Sequence, residues 1–195
     1  MILETGDIIL TSRNSIIVMF MRLFQKDPVF WGHVLVAKDS TTLWEAHWRL
    51  REISALKVFE KHKYYKIIRK KDITEEQKNT MCKLAPTLLG HYYGVFRIGL
   101  QMLDHIFHTD WFTDHNTNEA IQVCSSFAAW IYYHSCDGYK FNNKDWESCD
   151  PDDIEDEYLI NHTEWTDIIE KSLPKWVKKR IMRKITKRNL KYGKF

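Results

Sequence analysis

Residues 33–48 constrain the fold of this chain more than any other stretch. Val34-Leu35-Val36-Ala37 reads as a buried strand, residues 41–48 read as the next, and Asp39-Ser40 between them carries turn chemistry. That pattern folds as an antiparallel hairpin. His33 opens its first strand, directly after Gly32, whose lack of a side chain lets another backbone or a substrate approach closely. Glu45 stands inside the second, in Leu43-Trp44-Glu45-Ala46, where a carboxylate is costly unless it is paired. With the turn centred near residue 39, positions 33 and 45 face each other directly, about 5 Å apart at Cβ. Glu45 is then placed to accept the Nδ1 proton of His33 and fix the tautomer of the ring. The plain alternative is a surface His and an edge-strand Glu. His47, on the same strand face by period two, is a second candidate for the orienting group.

A base with an orienting acid raises the question of a nucleophile. In Val123-Cys124-Ser125-Ser126-Phe127-Ala128-Ala129-Trp130, a Cys and two small hydroxyl residues lead into an apolar helical stretch. A Cys in the first turn of a helix has its thiol pKa lowered by the free N–H groups and the dipole. The same N–H groups suit the stabilisation of an oxyanion. The alternative here is a buried, inert Cys followed by capping serines, since free Cys usually behaves as a small core hydrophobe.

Elsewhere, Gly6-Asp7-Ile8-Ile9-Leu10 reads as a turn feeding a short buried strand, and residues 64–69 as another strand. Residues 15–25 are apolar on most faces and read as a helix. Thr74-Glu75-Glu76-Gln77 fits a capping box that opens a helix running to about Leu89, where Gly90 stops it. Residues 93–107 have helical spacing, residues 108–118 read as a loop, and the stretch from Glu119 or Ile121 to His134 reads as a buried helix. Residues 142–153 look irregular, and residues 165–170 and 175–188 read as helices. Strands cluster early and helices late, so the expected class is α+β.

Charge divides the chain. The net is +3, yet residues 171–195 hold 11 basic residues and no acidic one, which leaves the first 170 residues at −8. Residues 150–170 carry nine acidic side chains and no Lys or Arg. In the tail, Trp176, Val177, Ile181, Met182 and Ile185 fall near one face among Lys and Arg, a basic amphipathic helix. Such a helix can dock on the acidic stretch, lie on an anionic membrane surface or contact nucleic acid, and the plain alternative is a helix packed by its apolar face with a solvated basic face. The many Trp residues suit core and pocket walls better than a base-stacking platform, which argues against nucleic acid as partner. A hydrophobic share of 44% excludes a disordered chain. The longest apolar run, residues 16–21, is far short of the roughly 20 that a spanning helix needs. Glu4 and Asp7 stand where a secretory leader would be basic, and the four cysteines lack framework spacing. These points set the expectation of a protein cytoplasmic at synthesis, with peripheral membrane contact through its tail. His105, His108 and His115 with neighbouring acids, or His134, Cys136 and Cys149, lack the tight spacings of metal sites, so no metal and no cofactor is expected.

Five segments now fall into a known order. Gly6-Asp7-Ile8-Ile9-Leu10, Gly32-His33-Val34-Leu35-Val36, Trp44-Glu45-Ala46, Tyr93-Gly94 and Val123-Cys124-Ser125-Ser126-Phe127 together resemble the circularly permuted branch of the NlpC-type papain-like cysteine hydrolases, and within it the YiiX-like proteins. The resemblance covers roughly residues 3–154. It implies a permuted papain-like core: an antiparallel sheet carrying the His and the acid, a helix presenting the Cys at its N-terminus, and here a helical C-terminal extension. The division expected from it is a catalytic domain over residues 1–158 and an extension over 159–195. By matching position, Cys124 is the implied nucleophile, His33 the base and Glu45 the orienting residue. Tyr93 and Ser125 are the implied oxyanion or substrate contacts, although Gly94 stands where the family often has Asp. Asp150-Pro151-Asp152-Asp153-Ile154 resembles a late Pro-Asp segment of the family. Substrates implied by the related branches are peptide or peptidoglycan-type amides, or acyl lipids. Thioesterases and acyltransferases of the same fold form the alternative activity, and a non-catalytic membrane- or nucleic-acid-binding module the third reading.

Overall fold

The computed structural model describes residues 2–12, 31–47, 49–90, 124–149, 151–161 and 163–170. These form an α+β fold with one six-stranded antiparallel sheet and four α-helices. The strands are β1 (Ile8–Thr11), β2 (His33–Ala37), β3 (Thr42–Ala46), β4 (Leu50–Ser54), β5 (Tyr65–Lys70) and β6 (Trp165–Glu170), in the spatial order β4-β3-β2-β1-β5-β6. The helices are α1 (Ala55–Lys61), α2 (Glu75–Leu84), α3 (Cys124–Ser135) and α4 (Pro151–Ile160), with short 3-10 turns at Ala85–Leu88, Phe141–Asn143 and Trp146–Ser148.

The central strands are apolar on both sides because both faces of the sheet are covered. One face sends Ile8, Leu10, Val34, Val36 and Trp44 against Phe127, Ala128, Ile131 and Tyr132 of α3. The other sends Ile9, Leu35, Leu43 and Ile67 against Ala55 and Val58 of α1. All four residues of β1 and all five of β2 are buried, so neither strand shows the polar alternation of a half-exposed one.

The expected hairpin is present, with its register displaced. Asp39 Oδ1 accepts the backbone N–H groups of Thr41 and Thr42, both at 2.8 Å, and Lys38 N–H donates to the Thr42 carbonyl. This Asx-type closure sets the loop centre at residue 40. Ala37 therefore pairs with Leu43 and Leu35 with Glu45, so His33 is a diagonal neighbour of Glu45 and not its direct partner.

Three further expectations change. Residues 165–170, read as helix, form strand β6 on the edge of the sheet, paired with β5 from Lys66 to Lys70 around a bulge at Ile67/Ile68. A short apolar run is ambiguous by periodicity alone, and the free edge of β5 decides it. The irregular stretch assigned to residues 142–153 ends early, because α4 starts at Pro151, a residue suited to a first helical turn. The helix expected to reach Leu89 is α2 to Leu84 followed by the 3-10 turn Ala85–Leu88, where Pro86 cannot continue the ladder. β4, α1 and the 3-10 turns had no counterpart in the sequence reading. The helices expected over residues 15–25, 93–107 and 175–188, and the loop over 108–118, lie outside the described residues.

Candidate functional site

Cys124 is the first residue of α3, and His33 the first of β2, the strand on which α3 packs. Cys124 is partly exposed, while His33 and Glu45 are buried. A neutral or charged imidazole at 5% exposure needs partners, and it has two. Its Nε2 lies 3.2 Å from Glu45 Oε1. It also hydrogen-bonds the Cys124 thiol. The sequence reading paired Glu45 with Nδ1. The diagonal register reverses this, because a Glu two residues off the direct position reaches the far end of the ring.

The other oxygen of Glu45 is held as firmly. Arg51, its direct cross-strand neighbour on β4, donates from Nε at 2.8 Å and from Nη2 at 2.5 Å to Oε2. Arg51 is the residue that the sequence reading missed. Its signal was present but weak: a short strand, Leu50–Ser54, just past the Glu-bearing one, with Arg51 and Glu52 between Leu50 and Ile53.

The ionisation states follow from these contacts. Burial disfavours the charged form of His33, but the hydrogen bonds to Cys124 and Glu45 outweigh it and raise its pKa from 6.5 to about 9. Burial pushes the Glu45 carboxyl up, and the hydrogen bonds of His33 and Arg51 more than reverse this, to about 2. Burial likewise opposes a thiolate at Cys124, yet the His33 hydrogen bond and charge, with backbone hydrogen bonds at Val34 and Ser125, bring its pKa below the ordinary 9.0. Cys136 is the contrast: burial, helped by the Asp137 charge and only partly offset by Lys70, lifts its thiol to about 11. All four cysteines are unbridged.

The arrangement can therefore hold a thiolate beside an imidazolium at the N-terminus of a 12-residue helix. Of the other expected site residues, Ser125 is buried beside Cys124 and contributes through its backbone, and Tyr93 lies outside the described residues. His47 lies beyond the end of β3, and the carboxylate that meets His33 is that of Glu45. Among the described residues no group of three or more His, Cys, Asp or Glu is placed to hold a metal ion. His105, His108 and His115 fall outside them. No described helix is long and apolar enough to cross a membrane.

No family model matches the chain, and no curated protein matches it. Among solved structures it is similar to YiiX from Escherichia coli O157:H7, described as a metalloprotein of the DUF1105 group. The TM-score is 0.60 at 13% identity, over 88% of this chain and 98% of that one. At such identity the likeness concerns architecture, and the architecture of this chain is YiiX-like.

Proposed function

We propose that this protein is a cysteine hydrolase of the permuted papain-like type, cleaving amide bonds in a peptide or peptidoglycan-type substrate. The observation that carries the reading is the continuous chain of contacts from Cys124 through His33 to Glu45. In the proposed reaction the Cys124 thiolate attacks the carbonyl carbon. The resulting oxyanion meets the free N–H groups at the start of α3, with Tyr93 as a further candidate contact. His33, as imidazolium, gives its proton to the leaving amine, and the thioester remains on Cys124. Neutral His33 then takes a proton from water, whose hydroxide attacks the thioester and releases the acid. Glu45 keeps the ring oriented through both steps and stabilises its charge.

A lipid-directed thioesterase or acyltransferase is the second reading, favoured by the basic amphipathic sequence of residues 171–195. Both readings need the same nucleophile. Iodoacetamide at pH 6 should label Cys124 selectively over Cys82, Cys136 and Cys149 in the native protein. Cys124→Ala should lose that labelling and all turnover of an amide or thioester substrate, with an unchanged far-ultraviolet circular dichroism spectrum. Full turnover in purified Cys124→Ala would end the proposal. A native protein without selective labelling points instead to a non-catalytic binding module.

A further inference from the structure

Contacts run from the Cys124 thiol on α3 to His33, from His33 to Glu45, and from Glu45 to Arg51. His33, Glu45 and Arg51 sit on three successive strands, β2, β3 and β4. Glu45 pairs directly with Arg51 in the β3–β4 ladder, whereas it reaches His33 only on the diagonal. A Glu side chain has three rotatable bonds, and one 3.2 Å contact to an imidazole does not fix them. The second oxygen supplies what is missing, because two guanidinium nitrogens at 2.8 and 2.5 Å hold it in a planar fork.

We infer that Arg51 is a positioning residue for the proposed hydrolase, which acts on Cys124 through Glu45 and His33 by keeping the carboxylate turned toward the ring. The geometry favours this role over a general contribution to stability. The guanidinium is 57% exposed, whereas the carboxylate it grips is 9% exposed. Half-exposed ion pairs add little to folding free energy. What this one does is complete that run of contacts. Without it a buried carboxylate has one partner where it now has two, and the rotamer that meets His33 is one of several. Arg51 itself does not touch the sulfur, so it is not a catalytic residue.

The inference rests on the hydrolase reading, and one set of variants separates the two. The measurement is the second-order rate of Cys124 alkylation by iodoacetamide at pH 6 in the full chain, with Cys124→Ala as background. Arg51→Gln should slow alkylation by about tenfold, the usual scale for groups that orient a primary ligand or base. Arg51→Lys, which keeps the charge but not the fork, should recover part of the loss. Glu45→Gln should slow alkylation at least as much, and Arg51→Gln combined with Glu45→Gln should be no slower than Glu45→Gln alone. Multiplying penalties in the double variant, or no change in Arg51→Gln, would overturn the role of Arg51 while leaving the hydrolase reading intact. Wild-type protein whose Cys124 reacts no faster than Cys82 would remove the hydrolase reading, and the role of Arg51 with it.

Discussion

An imidazole that ordinarily titrates near 6.5 stays protonated to about pH 9 beside Cys124, and the linkage has a definite sign. Because the folded pKa of His33 lies above its unfolded value, the stability it contributes is full below about pH 6.5 and is lost as pH rises through about 9. Glu45 acts in the opposite sense: its contribution is present above pH 4.5 and is lost as pH falls toward about 2. Between these limits the protonation of the pair changes little. Because the Cys124 pKa is lowered, its alkylation should rise less steeply between pH 6 and 8 than the about eightyfold gain of an unperturbed thiol. A profile that climbs like that of an ordinary thiol would show that the sulfur is not paired with His33. At this scale the sequence was readable where chemistry is restrictive. Glu45 in an apolar strand demanded a partner, His33 lay near enough to be it, and Cys124 stood at a helix start. Two details were hidden. The side chain of Asp39 shifts the turn by one residue, and Nε2 instead of Nδ1 meets Glu45. Arg51 belongs to β4, a strand in which Arg51 and Glu52 are exposed, so no apolar run marks it.

Elements announced themselves unequally. The capping box of α2 was legible because both of its bonds are local: Gln77 N–H to Thr74 Oγ1, and Thr74 N–H to Gln77 Oε1. β6 was not, because it exists only through its ladder with β5. α4 was obscured by its own composition. Acidic side chains are costly to bury unpaired, yet Asp153, Glu155 and Glu157 are buried. Glu155 accepts the Trp31 indole N–H, Glu157 accepts Tyr139 Oη and the Asn142 backbone N–H, and Asp153 pairs with Lys144. The turn before β1 gives a test at this scale. Gly6 has φ +92°, and an added Cβ would sit 3.2 Å from Ile73 Cδ1 and Met81 Sδ. Its N–H binds the Ala37 carbonyl and its carbonyl accepts Tyr132 Oη, so the turn joins β1 to β2 and α3. Gly6→Ala should lower unfolding free energy by about 1–3 kcal/mol, from backbone strain with crowding added. Urea denaturation of the purified variant measures it. An unchanged midpoint would mean that the turn relaxes freely.

Across the whole molecule, the sheet is completed from its far end. Trp165 opens β6, is buried at 2% exposure, and stacks on Tyr132 of α3 at 5.8 Å between ring centroids. Phe141 and Tyr139 close around the same indole, whose Nε1–H donates to Tyr139 Oη. Trp165→Ala should cost about 3–5 kcal/mol of stability, the usual loss for a buried large aromatic. It should also slow Cys124 alkylation, because α3 loses a wall along which it is seated. Thermal unfolding and alkylation kinetics on one preparation check both, and full reactivity in a destabilised variant would uncouple the site from β6. A ribosome makes the chain in one direction, so timing follows from this placement. Cys124, His33, Glu45 and Arg51 have all been translated well before Trp165 is added. An unfinished chain therefore holds Cys124, His33, Glu45 and Arg51 before the indole that stacks on α3 has been made.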